Sequence, residues 1–341
     1  MSTPAAQQQW TLKDFASDQD VRWCPGCGDY SILAAVRKVL AEAGVPPEQY
    51  AFVSGIGCSS RFPYYMNTYG LHGIHGRALA IATGLRVARP DVITYVVTGD
   101  GDGLSIGGNH TLHCLRRNVN VKILLFNNQI YGLTKGQYSP TSPMGQKTKS
   151  TPMGSIDRPI QPLSIALAAE ATFVARAVDL HPKLLQDVIR RAHEHRGAAF
   201  VEIYQNCNIF NDGALAYAQD RKIRADNIVE LEHGRPMIFG QNRDKGIILR
   251  DGRLQAVRIG ENGIGVEDLL VHDEQADVGR HFLLARMKYP DLPEPVGVLR
   301  AVERPVYEDL VNDQIEKAVA VKGKGDLQKL LRGSATWTVQ P

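Results

Sequence analysis

Four short apolar runs constrain the fold of this chain more than any other feature of its sequence. They are AFVSG, VITYVVTGD, VKILLFNN and AFVEIY; they are rich in β-branched and aromatic residues, and helical or glycine-rich segments separate them. Because polar residues do not alternate with the apolar ones, each run predicts a strand that is buried on both faces of a sheet. Such strands, alternating with helices, favour the α/β class with a doubly wound, mostly parallel sheet.

Helices are predicted between these runs wherever apolar residues recur with the helical period. The clearest covers residues 29–43 and ends at Gly44, shortly before two prolines. Residues 131–162 are rich in proline, glycine, serine and threonine, which predicts a long loop that is either functional or disordered. Further helices are predicted over residues 75–88, 104–117, 163–169, 182–195 and 304–321, and a hairpin over GIILRDGRLQAVRIG.

Composition sets the size and general class of the protein. With 341 residues, 43% of them hydrophobic, the chain can bury a large core. We expect an N-terminal arm over residues 1–19, a main domain over 20–214, and an irregular C-terminal extension over 215–341 that wraps the main domain or a partner. The net charge of +3 indicates neither nucleic-acid nor membrane binding. Without a long apolar stretch or a signal peptide pattern, a cytoplasmic location is expected.

Two polar motifs directly follow neighbouring predicted strands, at the edge where open α/β sheets bind ligands. TGDGDGLSIGGNH follows VITYVV, and NNQIYG follows VKILLF. Asp100 and Asn128 could therefore bring together a carboxylate and an amide oxygen, both suited to Mg²⁺. The glycines of GDGDG permit close approach of a phosphate to a helix start. A simple Gly-Asp turn is the alternative for that motif alone, but Asn128 at this spacing favours the metal and diphosphate interpretation.

GDG followed at this distance by NN resembles the thiamine-diphosphate motif of the thiamine enzyme superfamily. The resemblance implies that Asp100, the Asn128 side chain and the backbone carbonyl of Ile130 hold Mg²⁺, which bridges to the diphosphate of the cofactor. The residues that it implies along the cofactor are Gly101, Asp102, Gly132 and Leu133.

Five cysteines without a secretion signal indicate metal ligation or redox chemistry rather than disulfides. Cys24 and Cys27, in WCPGCG, can present two thiolates across a tight turn. Cys58 and Cys207 each lie just beyond a predicted strand, on the side of the diphosphate motif. Cys114 lies within a predicted helix and is interpreted as a small buried residue. By spacing alone, the other four could bind zinc or an iron-sulfur cluster.

The motifs WCPGCG, IGCSSR, HGIHGRALAIATG, TGDGDGLSIGGNH and NNQIYGLTKGQ, with the late cysteine, occur in one order. In this, residues 20–214 resemble the β subunit of 2-oxoacid:ferredoxin oxidoreductases, most of all the 2-oxoglutarate type. The resemblance implies the thiamine-diphosphate-binding fold and a four-iron four-sulfur (4Fe-4S) cluster on Cys24, Cys27, Cys58 and Cys207. Further residues implied near the cofactor are Ile56, Gly57, Cys58, Ser59 and His75.

The family resemblance also implies a reaction. It is the reversible oxidative decarboxylation of a 2-oxoacid, in which coenzyme A takes the acyl group and the cluster passes electrons to ferredoxin. Thiamine supplies the difficult chemistry, and the protein positions it. The glutamate that activates thiamine is implied to come from a partner α chain, or from a fused γα chain. We therefore expect a composite αβ enzyme and assign no catalytic residue in this chain with certainty.

Two further residues each have two interpretations. His75 is expected to bind the cofactor, with a buried structural histidine as the alternative. Arg61, three residues after Cys58, could pair with the second carboxylate of a dicarboxylic substrate; an exposed loop arginine is the alternative. Because SGIGCSSRFPYYMNTYG resembles 2-oxoglutarate-type subunits, 2-oxoglutarate is the expected substrate. Pyruvate, or broad 2-oxoacid specificity, is the alternative.

Two other classes of protein stay open at this point. A non-redox thiamine enzyme with a structural zinc would keep the diphosphate motif but would be colourless. An iron-sulfur module without enzyme activity would have no use for Asp100 and Asn128. One close cysteine pair with two distant single cysteines argues against zinc, which usually takes two close pairs.

Overall fold

The strands fall into one large and one small sheet. The computed structural model describes residues 9–340, so the start of the predicted N-terminal arm lies outside the described residues. The strands in that range are β1 (Tyr50–Ser54), β2 (Tyr69–His72), β3 (Ile93–Gly99), β4 (Val121–Asn127), β5 (Phe173–Val178), β6 (Ala199–Tyr204), β7 (Ile228–Leu231), β8 (Ile238–Phe239), β9 (Lys245–Arg250), β10 (Arg253–Arg258) and β11 (Glu294–Ala301).

The large sheet has the order β2-β1-β3-β4-β6-β5-β11-β7. The six strands from β2 to β5 in this order are parallel. Strand β11 runs antiparallel to β5, and β7 pairs with β11 in the parallel direction. The small sheet is antiparallel, in the order β10-β9-β8. The predicted α/β class and the mostly parallel sheet are therefore confirmed.

Helices cover both faces of the large sheet. They are α1 (Asp29–Ala43), α2 (Ala78–Ala88), α3 (Gly108–Arg116), α4 (Pro162–Ala168), α5 (Pro182–Glu194), α6 (Ala216–Gln219), α7 (Arg224–Asn227), α8 (Val278–Ala285), α9 (Tyr307–Lys322) and α10 (Leu327–Arg332). No helix within residues 9–340 is both long and apolar enough to cross a membrane.

The hydrophobic core lies on the two faces of the large sheet, as continuous apolar strands predict. Along β3, Val96 packs with α2, α3 and α4 on one face, while Tyr95 and Val97 pack with α1 and α5 on the other. All seven residues of β4 are buried. This packing fixes the carboxyl ends of β1, β3, β4 and β6 side by side at one edge.

Two predicted helices begin later than their sequences suggest. The helix predicted from residue 75 begins at Ala78, because the preceding Gly76 has a φ of 71° and donates its N–H to Asp102. The continuous helix predicted over 104–117 is wrong: a π-type turn over Asp102–Ile106 precedes α3, and Ser105 has non-helical backbone angles. A Cβ atom on Gly76 would lie 2.6 Å from the backbone nitrogen of Gly107, so glycine permits the close approach of these two segments.

The part of the chain after residue 214 is more regular than its sequence predicts. β7 and β11 extend the large sheet, and the hairpin predicted around Asp251 and Gly252 is β9-β10. Glu308 anchors the start of α9, since its buried carboxylate accepts hydrogen bonds from Arg86 at 2.7 and 3.0 Å. The rest of α9, and α10, are largely exposed. The proposed division at residue 214 stays a prediction.

Candidate active site

A cavity at the carboxyl ends of the parallel strands brings most of the predicted site residues together. Asp100 follows β3 and Asn128 follows β4, and both line it, as does Gln205 after β6, which the sequence analysis did not predict. The other predicted residues in its wall are Ile56, Gly57, Cys58, Ser59, His75, Gly101, Asp102, Ile130, Gly132 and Leu133. Two motifs that are far apart in sequence thus meet at one site, as the strand order requires.

Asp100 is buried and held by the long loop that follows β4. Its Oδ2 accepts hydrogen bonds from Ser139 Oγ and Thr141 Oγ1, both at 2.5 Å. Burial raises the pKa of the Asp100 carboxyl to about 6, although the hydrogen bonds from these hydroxyls lower it. A carboxylate that is costly to ionise without a partner is suited to bind a cation, because a nearby positive charge offsets the desolvation of the anion.

The Asn-Asn pair is oriented by fixed partners. Asn127 Nδ2 donates to Glu202 at 2.7 Å, so its Oδ1 faces the loop and lies 2.9 Å from Thr141 Oγ1. Asn128 Nδ2 donates to Gln205 at 2.9 Å, and its Oδ1 accepts from the Ile130 N–H at 3.1 Å. A second lone pair on that Oδ1 is left for a cation.

The backbone between the two predicted ligands has an unusual conformation. Gln129, between Asn128 and Ile130, has a φ of 57°, in the left-handed region that residues other than glycine rarely adopt. Ser142 Oγ donates to the Gln129 carbonyl at 2.6 Å and helps to hold this turn. Strained backbone that surrounding contacts fix in place is typical of functional sites.

Asp102 organises the opposite wall of the cavity. Its Oδ1 accepts from the N–H groups of Ile56 and Gly76, at 3.0 and 2.6 Å, and lies 2.6 Å from His75 Nδ1. Its Oδ2 accepts from Thr98 at 2.6 Å. Asp102 therefore ties two loops to the end of β3, and its bond to Nδ1 leaves Nε2 of His75 for a ligand.

The predicted cysteine ligands gather beside this cavity. A Cβ atom added to Gly132 would lie 3.5 Å from Cys58 Sγ and 3.6 Å from Cys207 Sγ, so both sulfurs face Gly132. Cys27 Sγ lies 3.3 Å from Gln205 Nε2 in the cavity wall, and Cys24 is exposed nearby in the same turn. Burial raises the pKa of the Cys58 thiol to about 12, and the charge of Asp29 adds to the effect.

The assignment of these four cysteines to a 4Fe-4S cluster rather than to zinc stays a prediction. Within the described part of the chain, no three His, Cys, Asp or Glu side chains are close enough to hold a single metal ion. A tetrahedral zinc site with Zn–S bonds of about 2.3 Å would need all four sulfurs roughly 4 Å apart. An iron-sulfur cluster bonds each cysteine to a different iron, and so suits a wider set of thiolates. Cys114 is buried in the core, as predicted.

Arg61 lies away from the cavity wall. It is half-buried, and its Nη1 donates to the Arg22 carbonyl at 3.1 Å. Its charge lowers the pKa of the neighbouring Cys58 thiol in part, against the larger effect of burial. Arg61 is therefore beside the cysteines, while its predicted contact with substrate stays a prediction.

Asp29 is a site residue that the sequence analysis missed. It is the first residue of α1, is only 1% exposed, and lines the cavity. Neither of its oxygens accepts a hydrogen bond from an N–H or O–H group of residues 9–340. Burial and the nearby Asp179 raise the pKa of Asp29 to about 7, and the Cys27 thiol lowers it by a smaller amount. Its position at a helix start, where acidic residues are common, gave no signal of this role.

Comparisons with known proteins agree with this site. Residues 55–203 match the family of thiamine pyrophosphate enzymes, C-terminal TPP binding domain. The fold and the match together define an α/β protein with the domain fold of thiamine pyrophosphate enzymes. The chain is also 52% identical to 2-oxoglutarate oxidoreductase subunit KorB of Mycobacterium tuberculosis, over 98% of this chain and 90% of that protein. It therefore belongs to the family of 2-oxoacid:ferredoxin oxidoreductase β subunits, which are subunits of oxidoreductase enzymes.

More distant relatives support the same assignment. The 2-oxoglutarate synthase subunit KorB of Methanocaldococcus jannaschii is 45% identical over 54% of this chain and 68% of its own length. A solved structure of 2-oxoglutarate:ferredoxin oxidoreductase from Magnetococcus marinus, with 2-oxoglutarate, coenzyme A and succinyl-CoA bound, superimposes with a TM-score of 0.75. It is 35% identical, and the match covers 96% of each chain. The predicted family is confirmed.

Proposed function

We propose that this chain is the β subunit of a composite enzyme that converts 2-oxoglutarate and coenzyme A to succinyl-CoA and CO₂, with electrons passing through a 4Fe-4S cluster to ferredoxin. The observation that carries the proposal is the position of Gly132. It lines the cavity that contains Asp100 and Asn128, and the sulfurs of Cys58 and Cys207 both face it. The predicted metal-diphosphate site and two of the four predicted cluster ligands therefore share one wall.

The reaction balances with the named participants. The bond between the keto carbon and the carboxylate of 2-oxoglutarate breaks, CO₂ leaves, and the acyl carbon forms a thioester with the sulfur of coenzyme A. The thiol proton is released, and two electrons are left over. Ferredoxin takes these electrons one at a time, so two ferredoxin molecules are reduced in each turnover. The reverse reaction uses the same participants.

The described residues fit the cofactors that the family implies. Asp100, Asn128 Oδ1 and the Ile130 carbonyl would hold Mg²⁺, whose charge would offset the burial that raises the pKa of Asp100. Cys24, Cys27, Cys58 and Cys207 would hold the cluster, whose iron would keep the thiolates ionised despite their burial. Bound thiamine diphosphate supplies the stabilisation of negative charge that decarboxylation requires.

This chain's own residues bind and orient. His75 Nε2, backed by Asp102, would donate to or accept from the cofactor, and the backbone of Gly132 and Leu133 would line it. None of the described residues that line the cavity is a glutamate. We therefore assign the activating glutamate to the partner α chain, or to a fused γα chain, which would close the open side of the cavity.

The substrate assignment rests on the relatives and on Arg61. KorB of M. tuberculosis is named as a 2-oxoglutarate oxidoreductase subunit. Arg61 lies beside Cys58, close enough for its charge to affect that thiol, and a guanidinium there could pair with the second carboxylate of 2-oxoglutarate. Pyruvate, which lacks that carboxylate, is the alternative substrate. A cytoplasmic location is part of this proposal.

The test is an activity assay of the complex purified anaerobically with its α chain. We expect 2-oxoglutarate to reduce methyl viologen and ferredoxin only when coenzyme A is present, with one succinyl-CoA formed for every two electrons accepted. The chain without its α partner should show no turnover. Release of CO₂ without reduction of either acceptor would instead support a non-redox thiamine enzyme.

A further inference from the structure

A second large depression lies outside the cavity and is strongly basic. It has a volume of about 1040 Å³ and is lined by α5, α7, β7 and β8 with their flanking residues. We refer to it as the basic cleft. Its cationic side chains are Lys183, Arg190, Arg221, Arg224, Arg235 and Arg243.

The acidic residues of the basic cleft do not neutralise it. Asp187 pairs with Arg190 at 3.1 Å, and Glu232 pairs with Arg235 at 3.5 Å. Glu230 lies 3.0 Å from His181 Nε2. Within residues 9–340, the four remaining cations, Lys183, Arg221, Arg224 and Arg243, take part in no ion pair. The basic cleft therefore presents an excess of positive charge to solvent.

Hydrogen bonds lead from the basic cleft to a predicted cluster ligand. Arg224 Nη1 donates to the Leu180 carbonyl at 3.3 Å, and the Leu180 N–H donates to Asp179 Oδ1 at 2.7 Å. Asp179 Oδ2 accepts from the Asn206 N–H at 2.8 Å, and Asn206 directly precedes Cys207. The rim of the basic cleft is thus only a few bonded groups from the cysteines.

We infer that the basic cleft is the docking surface for an acidic electron-carrier protein. The inference rests on the proposed function, because only a redox cluster beside Cys207 gives such a carrier an electron to exchange. Each encounter passes one electron from the cluster to the carrier, and two encounters complete one turnover.

The distribution of charge favours a protein over a small anion. The unpaired cations come from three separate segments, and Lys183, Arg221 and Arg243 are exposed. Charges spread over an open surface steer a partner of opposite charge and speed its association, whereas a small anion needs buried donors that converge on one point. The cavity itself is the surface that we assign to the α chain, so a carrier needs a different approach to the cysteines.

The test uses the complete enzyme with the substitutions Arg221→Glu and Arg243→Glu combined. At low ionic strength we expect the KM for an acidic ferredoxin to rise by roughly tenfold or more, since both substitutions reverse charges that guide association. The kcat with methyl viologen, a small cationic acceptor, should not change. The control combines Arg116→Glu and Arg253→Glu, two exposed residues outside the basic cleft, with the same total change of charge.

Each result decides the inference. An unchanged KM, or an equal rise in the control variant, would overturn it, and so would loss of the α chain from the variant, because the cleft would then be a subunit interface. If the double variant does not fold, the combined substitutions Arg221→Gln and Arg243→Gln replace it. These should make the KM for ferredoxin less dependent on salt concentration, and an unaltered salt dependence would contradict the inference. Failure of the natural enzyme to reduce methyl viologen would instead refute the proposed function.

Discussion

The hydroxyl of Thr141 donates a 2.5 Å hydrogen bond to Oδ2 of Asp100. This bond fastens the long loop between β4 and α4 to the residue that we expect to hold Mg²⁺. The same hydroxyl oxygen lies 2.9 Å from Oδ1 of Asn127, whose amide nitrogen donates to Glu202. Glu202 in turn accepts from the buried Arg176 at 2.8 Å. The loop is thus an integral part of the site, connected by hydrogen bonds to the interior of the sheet.

Replacing Thr141 with valine should weaken the binding of Mg²⁺ and thiamine diphosphate. Valine keeps the shape of threonine but removes the donor to Asp100, and a hydrogen bond to a charged group contributes about 1.5–3 kcal/mol. We therefore expect the Kd for thiamine diphosphate in the presence of Mg²⁺ to rise by roughly tenfold or more, as measured by titration calorimetry. Thr148→Val, in the same loop but bonded only to loop residues, is the control. Equal affinities for both variants would contradict this role of Thr141.

Cys207→Ala should remove the cluster, and Cys114→Ala should leave it intact. Cys207 faces Gly132 at the site, whereas Cys114 is 1% exposed in the core. We expect the first variant to lose visible absorption and bound iron after anaerobic purification, and the second to retain both. The opposite pattern would show that the ligand set is wrong.

Arg61→Ala should impair use of 2-oxoglutarate more than use of pyruvate. Only 2-oxoglutarate has a second carboxylate that would lose its partner, so the KM for that substrate should rise much more. A loss of one hydrogen-bonded charge pair corresponds to roughly tenfold or more in kcat/KM. Steady-state rates with each substrate, using methyl viologen as acceptor, provide the measurement. Proportional effects on both substrates would remove the argument for 2-oxoglutarate from Arg61.

Lys122 should make the stability of the fold depend on pH. Burial, together with the charge of Arg86, lowers the pKa of Lys122 to about 7 from the ordinary 10.5. At a pH between these two pKa values, the unfolded chain binds a proton at Lys122 that the folded chain lacks. The free energy of unfolding therefore rises with pH, by at most about 1.4 kcal/mol per pH unit. We expect the Tm of the natural chain, relative to Lys122→Met, to increase from about pH 7 towards pH 10. Lys38→Met, on the exposed side of α1, is the control. If the difference in Tm between the natural chain and Lys122→Met does not change with pH, Lys122 stays charged in the folded chain.

The parts of the fold that could be predicted are those with a local pattern. β1, β3, β4 and β6 are continuous apolar runs, and their ends carry the recognisable motifs. β5 and β11 were not predicted, because the charged residue Arg176 lies inside β5 and the charged residue Glu294 begins β11. Both side chains are buried only because they pair with each other at 3.6 Å, and because Arg176 also pairs with Glu202. Partners so distant in sequence leave no periodic signal.

In the candidate active site, too, residues in local motifs could be predicted, and residues placed by tertiary packing could not. Asp100 and Asn128 could be predicted to meet, since strand order brings strand ends together, whereas His75 followed only from the family resemblance. Thr141 and Ser139 could not, because the long loop has no periodicity that indicates which hydroxyl reaches Asp100. Asp29 could not be distinguished from an ordinary acidic residue at a helix start, where negative charge is favourable. Its burial and its place in the cavity depend on the tertiary packing.

The most direct test of the account is an anaerobic visible spectrum of the complex with its α chain, combined with analysis of iron, sulfide and zinc. The account predicts about four irons and four sulfides per β chain, and a brown absorption that 2-oxoglutarate and coenzyme A bleach. Zinc without iron, in a colourless protein that still binds thiamine diphosphate, would contradict the assignment of a redox cluster to Cys24, Cys27, Cys58 and Cys207.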